Sequence, residues 1–147
     1  MRLLHWFSRG SSVGSQVAPL VAVLTDEPAS SPREVFRRSE ALEALAALGT
    51  KAYPALPTIL RALWIEVEVD CGLWLRVAAA EAAWKVGGLG ELALPIIAWG
   101  LKDEYWGVAR KAVRILGEMG LGAHDASPEL MQLAAMRLEQ TQKGILS

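Results

Sequence analysis

Few residues in this chain have the types and spacing that catalysis requires. The two histidines, His5 and His124, stand far apart, and neither lies three or four residues from another metal-ligating side chain. The single cysteine, Cys71, leaves no internal disulfide and no thiolate cluster. The glycine-rich GGLG at 87–90 lacks the preceding strand and the lysine of a phosphate-binding loop. We therefore expect a non-catalytic protein with no metal and no cofactor.

Charged side chains offer chemistry of another kind, namely contact with a partner. The 15 basic and 16 acidic residues give a net charge of −1, so no overall field attracts nucleic acid or an anionic membrane. We expect the local charges to lie on an ordinary solvated outer surface. They comprise the clusters Arg33, Arg37, Arg38 and Arg110, Lys111, Arg114, and the i, i+4 pairs Glu81 with Lys85 and Arg114 with Glu118.

Prolines mark an internal repeat along the chain. Pro19, Pro57 and Pro95 are evenly spaced, and Pro128 follows Pro95 at a slightly shorter interval. A helix tolerates proline in its first turn, where the amide group has no intrahelical acceptor. We therefore predict that each proline lies near the start of a helix.

Glycines mark the same repeat, eight residues before each of the last three prolines, at Gly49, Gly87 and Gly120. Each glycine follows an apolar segment whose spacings of four and three place three residues on one helical stripe. The three trios are Ala41, Leu45, Leu48; Ala79, Ala83, Val86; and Ala112, Leu116, Met119. Glycine adopts the left-handed conformation past a helix end without strain, so the three glycines are predicted helix stops.

Helix starts are also marked by their residues. The sequence Ser-Pro-Arg-Glu has the form of a capping box, with Ser31 as the N-cap, Pro32 in the first turn and Glu34 reaching back. Asp70 and Asp103 are equivalent N-cap candidates for the two later helices.

An insertion explains why one repeat is longer than the next. The extra residues are WIEVE, 64–68, between two repeats. Ile65, Val67 and Val69 alternate with acidic residues, which is typical of a strand, but a lone strand has no partner. We therefore expect an extension of the preceding helix followed by a loop.

A helix pair repeated at these intervals, with xxAxxxLxxLG in its first helix and P-x-[IL] in its second, resembles the HEAT repeats, including the bacterial HEAT-like repeats of phycobilisome lyases. The resemblance covers about residues 15–138, and LRV at 75–77 matches the family's Val-Arg pair in part. It implies an all-α, right-handed α-solenoid of antiparallel helix pairs, with one half repeat and three full repeats. The implied organisation is a tail over 1–14 that folds back as a cap, a repeat domain over 15–140 with helix pairs of about 33–68, 70–102 and 104–138, and a tail over 141–147.

The resemblance also implies a binding surface, because second helices line the concave wall of HEAT proteins. Positions two, three and six after the proline, such as Ile97 and Leu101, take the buried stripe, so positions one and four face outward. The resulting candidate partner-binding residues are Thr58, Arg61, Ile96, Trp99, Glu129 and Gln132. Tryptophan and arginine often anchor interfaces. The alternative that Trp99 folds against a neighbouring helix stays open, whereas Trp74, Trp84 and Trp106 are expected to be packed or half-packed between repeats.

The sequence thus predicts a scaffold that binds a protein partner through its concave surface. Two alternatives stay open: a nucleic-acid-binding module similar to the alkylation-repeat DNA glycosylases, and an accessory protein of a lyase or another enzyme system. No apolar run approaches the roughly 20 residues needed to span a bilayer, and the N-terminal apolar run is too short for a secretory signal. We therefore expect a cytoplasmic protein without membrane contact. Apolar residues at the predicted solenoid ends further suggest self-association.

Overall fold

Helices follow one another along the chain in the structure, a computed structural model that describes residues 14–120 together with Met136 and Glu139. Its α-helices are α1 over 14–23, α2 Pro32–Leu48, α3 Leu56–Ala62, α4 Gly72–Gly87, α5 Gly90–Leu101 and α6 Trp106–Met119, with a 3-10 helix over Gly49–Ala55 before α3. The described residues contain no β-sheet, and the helices pack against one another. The predicted all-α class is confirmed.

The central element is α4, which packs against α2, α3, α5 and α6. No residue of this helix is exposed, and the run from Val77 to Ala83 is buried throughout. Five alanines in that run allow neighbouring helices to approach on all sides, because their side chains are short. The core of the described chain therefore surrounds α4.

Two of the three predicted helix stops are confirmed, and the third lies one residue later. Gly49 and Gly120 have φ angles of 60° and 54°, whereas the third positive φ, 68°, belongs to Gly88. Gly87 still ends α4 and has a different requirement, because a Cβ there would lie 2.8 Å from Cδ1 of Leu56. The glycine pair thus combines a close approach to α3 with a left-handed turn.

The predicted position of the prolines is correct for Pro57 and wrong for Pro95. Pro57 lies in the first turn of α3. In contrast, α5 begins at Gly90, directly after the glycine turn, so that Pro95 lies inside the helix. Pro19 also lies within α1, and Pro128 is outside the described residues. The proline therefore keeps its spacing to the buried residues, such as Ile59 and Ile97, but does not mark where the second helix begins.

The capping box at the start of α2 is confirmed with one shift. The Ser31 hydroxyl accepts a hydrogen bond from the Glu34 amide at 3.2 Å. The Glu34 carboxylate reaches back to the amide of Ser30, at 3.1 Å, one residue earlier than a standard box requires. Both interactions stabilise the first turn of the helix.

Asp70 and Asp103 are not the N-caps, contrary to the prediction. Cys71 and Tyr105 occupy the cap positions of α4 and α6, without side-chain capping bonds. Asp103 instead accepts a hydrogen bond from the Tyr105 amide at 2.6 Å, which orders the turn before α6.

The insertion at 64–68 does not extend α3, which ends at Ala62. Val67 forms an isolated parallel β-bridge with Ala29. The Ala29 amide donates to the Glu66 carbonyl at 2.9 Å, and the Glu68 amide donates to the Ala29 carbonyl at 2.9 Å. The predicted helical extension is therefore wrong, because the linker after α1 supplies the pairing partner.

Two arginines at equivalent positions hold the linkers between helix pairs. Arg38 and Arg76 each stand eleven residues before a repeat glycine. Arg38 donates to the Glu27 carbonyl at 2.7 Å, and Arg76 donates to the carbonyl groups of Ala62 and Ile65. Burial lowers the pKa of Arg76. Arg38 is 6% exposed, so its predicted place on a solvated surface is wrong.

Candidate functional site

Arg61 and Trp99 stand at the same position of α3 and α5, four residues after their prolines, and both face solvent. The Arg61 side chain is 63% exposed, and Trp99 is 59% exposed. Trp99 is therefore mostly open to solvent, which does not fit the alternative that it folds against a neighbouring helix. Glu129 and Gln132, the predicted counterparts in the last repeat, lie outside the described residues.

The expectation that Ile96 faces outward is wrong, since it is only 5% exposed. Whereas α3 packs against α4 and the 3-10 helix, α5 packs against both α4 and α6. A helix with neighbours on two sides needs a wider apolar face, and Ile96 belongs to that face. Thr58, the equivalent residue in α3, is half-buried.

The backbone beneath Trp99 is held on two sides. A Cβ on the adjacent Gly100 would lie 2.9 Å from Cγ2 of Val77 and 3.1 Å from Cβ of Ala112. Helix α5 therefore lies close to both α4 and α6 beside the tryptophan. Because this helix is firmly packed, its backbone has little conformational freedom left for the binding of a partner to remove.

Arg61 borders a small polar cavity where α3 meets the linker after α1. Its Nε lies 3.8 Å from Oδ1 of Asp26, and its Nη2 lies 3.4 Å from Oγ1 of Thr58. Arg38 and Thr25 line the same cavity, with an apolar floor that includes Leu24, Ala62 and Leu75. We call this site the Arg61 cavity.

The tryptophans between repeats differ in their exposure. Trp74 and Trp84 are half-buried, as predicted, but Trp106 is exposed. The ring of Trp74 meets Phe36 edge-on at 5.4 Å between centroids, and a Cβ on Gly107 would lie 2.7 Å from it. Phe36, Trp74 and Gly107 each stand thirteen positions before a repeat glycine, so equivalent positions of successive helices meet.

The two predicted ion pairs form one charge network across α4 and α6 rather than separate pairs on a solvated face. Glu81 is 2% exposed and accepts from Arg114, with distances of 3.0 Å and 3.3 Å to the two guanidinium nitrogens. Lys85 lies 3.3 Å from Glu81 and 2.8 Å from Glu118, which also accepts from Arg114 at 2.7 Å. Helical periodicity alone does not predict the contact between Glu81 and Arg114. Their equal distance from the repeat glycines does indicate it, because equivalent positions of successive helices meet.

The network shifts the pKa values of three of its members, Glu118, Lys85 and Arg114. A hydrogen bond from Lys85, supported by Arg114, lowers the pKa of Glu118. Burial opposes the charged form of Lys85, but hydrogen bonds and attraction from Glu118 and Glu81 outweigh it and raise the pKa of Lys85. The hydrogen bonds to Glu81 raise the pKa of Arg114. Lys85, Arg114 and Glu118 are therefore stabilised in their charged forms.

Lys111, in the second basic cluster, is also buried rather than on the solvated surface that the sequence predicts. It is 6% exposed and forms an ion pair with Glu43, which joins α6 to α2. Its ammonium group also lies 5.2 Å from the centre of the Trp74 ring. Arg110 alone of that cluster has no ion pair within the described residues, and it stacks over Trp106 at 5.4 Å.

Two further clefts of the described chain open to solvent. One, of about 500 Å³, is lined by Asp70, Asp103, Glu104 and Tyr105. The other, of about 460 Å³, has an apolar wall that includes Trp84, Leu92 and Met119. Across residues 14–120, Met136 and Glu139, no three histidine, cysteine or acidic side chains converge as metal ligands would.

No protein-family model, curated protein or solved structure matches this chain. Within the described part, no helix has the length and apolar character to cross a membrane.

Proposed function

We propose that this chain is a HEAT-like scaffold whose helix pairs stack as a right-handed solenoid, and that it binds a protein segment on the surface bearing Arg61 and Trp99. The repeat is supported by burial, since Ile59 of α3 and Leu63 directly after α3 are buried like their equivalents in α5, Ile97 and Leu101. It is supported further by the contacts between equivalent positions, such as Phe36 with Trp74. A linear array of helix pairs offers an extended surface along which a peptide can lie.

The observation that carries the proposed function is the exposure of Trp99 on a helix packed from both sides. Exposed tryptophan loses contact area with water when a partner covers it, and tryptophan and arginine dominate the binding energy of many interfaces. On this proposal, an apolar side chain of the partner packs on the Trp99 indole, and a polar group of the partner meets the Arg61 guanidinium. The role is binding rather than catalysis.

The contacts do not favour the nucleic-acid alternative. Of the six residues in the two basic clusters, Arg38 is buried against a carbonyl, Lys111 pairs with Glu43, and Arg114 pairs with Glu81 and Glu118. Affinity for phosphates depends on cations that can release counterions, and paired or buried cations contribute little to it. No specific contact favours an accessory role in a lyase system.

Affinity capture with matched variants tests the proposed function. The tagged chain, its Trp99→Ala variant and its Tyr53→Ala variant would be used to capture partners from cells of the source organism. Tyr53 is a suitable control because it is also 59% exposed but lies on the 3-10 helix. We expect the Tyr53→Ala variant to retain the proteins bound by the unaltered chain and the Trp99→Ala variant to lose them. Equal retention by both variants would refute the proposed surface.

A further inference from the structure

The Arg61 cavity combines groups that recognise a carboxylate. Two guanidinium groups, from Arg38 and Arg61, and two hydroxyl groups, from Thr25 and Thr58, line it. The remaining space is about 10 Å³, which is room for about one water molecule. Guanidinium and hydroxyl donors together bind carboxylate oxygens well, because the fork of arginine matches the two oxygens of the acceptor.

Arg38 places a buried positive charge at this cavity, and that charge lacks a close counterion. Its guanidinium donates to the Glu27 carbonyl at 2.7 Å and to the Thr25 hydroxyl at 3.1 Å, both neutral acceptors. The nearest carboxylate in an ion pair with it, that of Glu34, lies 3.9 Å away and is 45% exposed. A buried cation with weak compensation leaves a positive potential, which a second anion would lower.

Asp26 stands at the cavity rim as an exchangeable anion. Its carboxylate is 78% exposed and lies 3.8 Å from Nε of Arg61, which is longer than a hydrogen bond. Because the cavity itself holds only about one water molecule, a carboxylate can meet Arg61 only at the cavity mouth, where the Arg61 side chain is 63% exposed. We propose that this mouth is an anchor for a glutamate or aspartate side chain of the bound protein segment, whose carboxylate displaces Asp26 from Arg61. The inference rests on the proposed function for the source of that carboxylate.

The next repeat carries apolar residues at the equivalent positions, which gives the surface two chemically different halves. Trp99 replaces Arg61, Ile96 replaces Thr58, and Trp64, which is 67% exposed, stands where Asp26 stands one repeat earlier. Of these two described junctions, the one bearing Arg61 therefore has the groups for an anion site. A segment that places an acidic residue at the Arg61 cavity has exposed tryptophans one repeat further on for an apolar residue.

The test uses short blocked peptides and the full chain. Acetyl-Ala-Glu-Ala-amide and acetyl-Ala-Gln-Ala-amide would be titrated at constant ionic strength, with the Arg61 Nε–H and Thr58 amide signals followed by NMR. The variants are Asp26→Asn, Arg61→Gln and, as a control, Arg33→Gln, an exposed arginine on α2 that lines no part of the cavity. Inorganic phosphate forms a separate arm, because a free anion has similar chemistry.

We expect the glutamate peptide to give saturable shifts and the glutamine peptide to give none. Removal of the internal competitor in Asp26→Asn should tighten glutamate binding about two- to fivefold, since exposed ion pairs are weak. Arg61→Gln should abolish binding, and Arg33→Gln should leave it unchanged. Because Asp26 and Arg61 are both mostly exposed, the two variants should keep their fold, which far-ultraviolet circular dichroism would check.

The inference is overturned if the two peptides behave alike, if Asp26→Asn leaves the affinity unchanged or lower, or if phosphate binds and the glutamate peptide does not. If the peptide titration overturns the anchor but Trp99→Ala loses the captured partners, the proposed function still stands. Glutamate binding with no effect of Trp99→Ala on capture would instead retain the anchor and remove the proposed surface.

Discussion

Arg114 on α6 binds the buried carboxylate of Glu81 on α4 through both of its terminal nitrogens, at 3.0 Å and 3.3 Å. Each residue stands six positions before a repeat glycine, so the contact joins equivalent positions of successive helices. A forked arginine contact to one carboxylate requires a defined orientation of both groups. The pair thus fixes how α6 lies on α4, the helix at the centre of the core.

Removal of Arg114 should destabilise the chain. Arg114→Met leaves Glu81 buried with Lys85 as its remaining cation. Because loss of one partner from a buried pair is costly but Arg114 is itself half-exposed, we expect a loss of about 1–2 kcal/mol in the free energy of unfolding. Urea denaturation would measure it. Arg110→Met is the control on the same helix, and an equal loss in both variants would contradict this role.

The charge network also predicts the pH dependence of stability. The pKa of Glu118 is lowered in the folded state, so its contribution is complete above its ordinary value of 4.5 and is lost as the pH falls through the lowered folded value. The pKa of Lys85 is raised, so its contribution is complete below 10.5 and is lost as the pH rises through the raised value.

Melting temperatures measured between pH 7 and pH 3 would check the acid limb. Glu118→Gln should reduce the fall in melting temperature on acidification, whereas Glu104→Gln, at an exposed carboxylate without an ion pair in the described residues, should not. The network is not the source of the acid sensitivity if the Glu118→Gln profile runs parallel to that of the unaltered chain.

Two glycines of α6 should respond oppositely to the same substitution. A Cβ on Gly107 would lie 2.7 Å from Trp74, whereas one on Gly117 would meet nothing within 4 Å. We expect Gly107→Ala to destabilise by about 1–3 kcal/mol through overpacking. Gly117→Ala should stabilise by about 0.5–1 kcal/mol through helix propensity. Urea denaturation would distinguish them, and stabilisation by Gly107→Ala would mean that Trp74 does not pack there.

Arg76 should control the order of the insertion that pairs with Ala29. Its guanidinium donates to the carbonyl groups of Ala62 and Ile65, which a lysine ammonium cannot span in the same way. In Arg76→Lys we expect faster hydrogen exchange of the Glu68 amide, which donates to Ala29, while α5 amides keep their rates. Arg110→Lys should leave Glu68 unaffected. Unchanged Glu68 exchange in Arg76→Lys would show that the bridge holds without the arginine.

Features that depend on local sequence could be predicted. The buried stripe of α5 contains Ile97 and Leu101, as their spacing from Pro95 indicates, and the same count places Trp99 outward. The all-α class follows from the same periodicity. Position along a helix determines which residues share a face, so nearby residues suffice for these predictions.

Features that depend on distant residues could not be predicted by periodicity. Ile96 is buried because α6 covers a second side of α5. Val67 forms its bridge because Ala29, far earlier in the chain, donates to the Glu66 carbonyl and accepts from the Glu68 amide. Lys111 is buried because it reaches Glu43 on α2. The repeat register contained part of this information, since equivalent positions in successive helices face one another, but it does not give the side-chain contacts themselves.

On the proposed function, a protein segment lies against Trp99. Site-specific photo-crosslinking tests it most directly, with p-benzoylphenylalanine placed at position 99 in cells and, as the control, at position 53, where Tyr53 is equally exposed. We predict a discrete adduct with another protein at position 99 and none at position 53, and loss of the position 99 adduct when Arg61→Glu is added. Irradiation that yields no adduct at position 99, or the same adducts at both positions, would show that no partner segment binds specifically at Trp99.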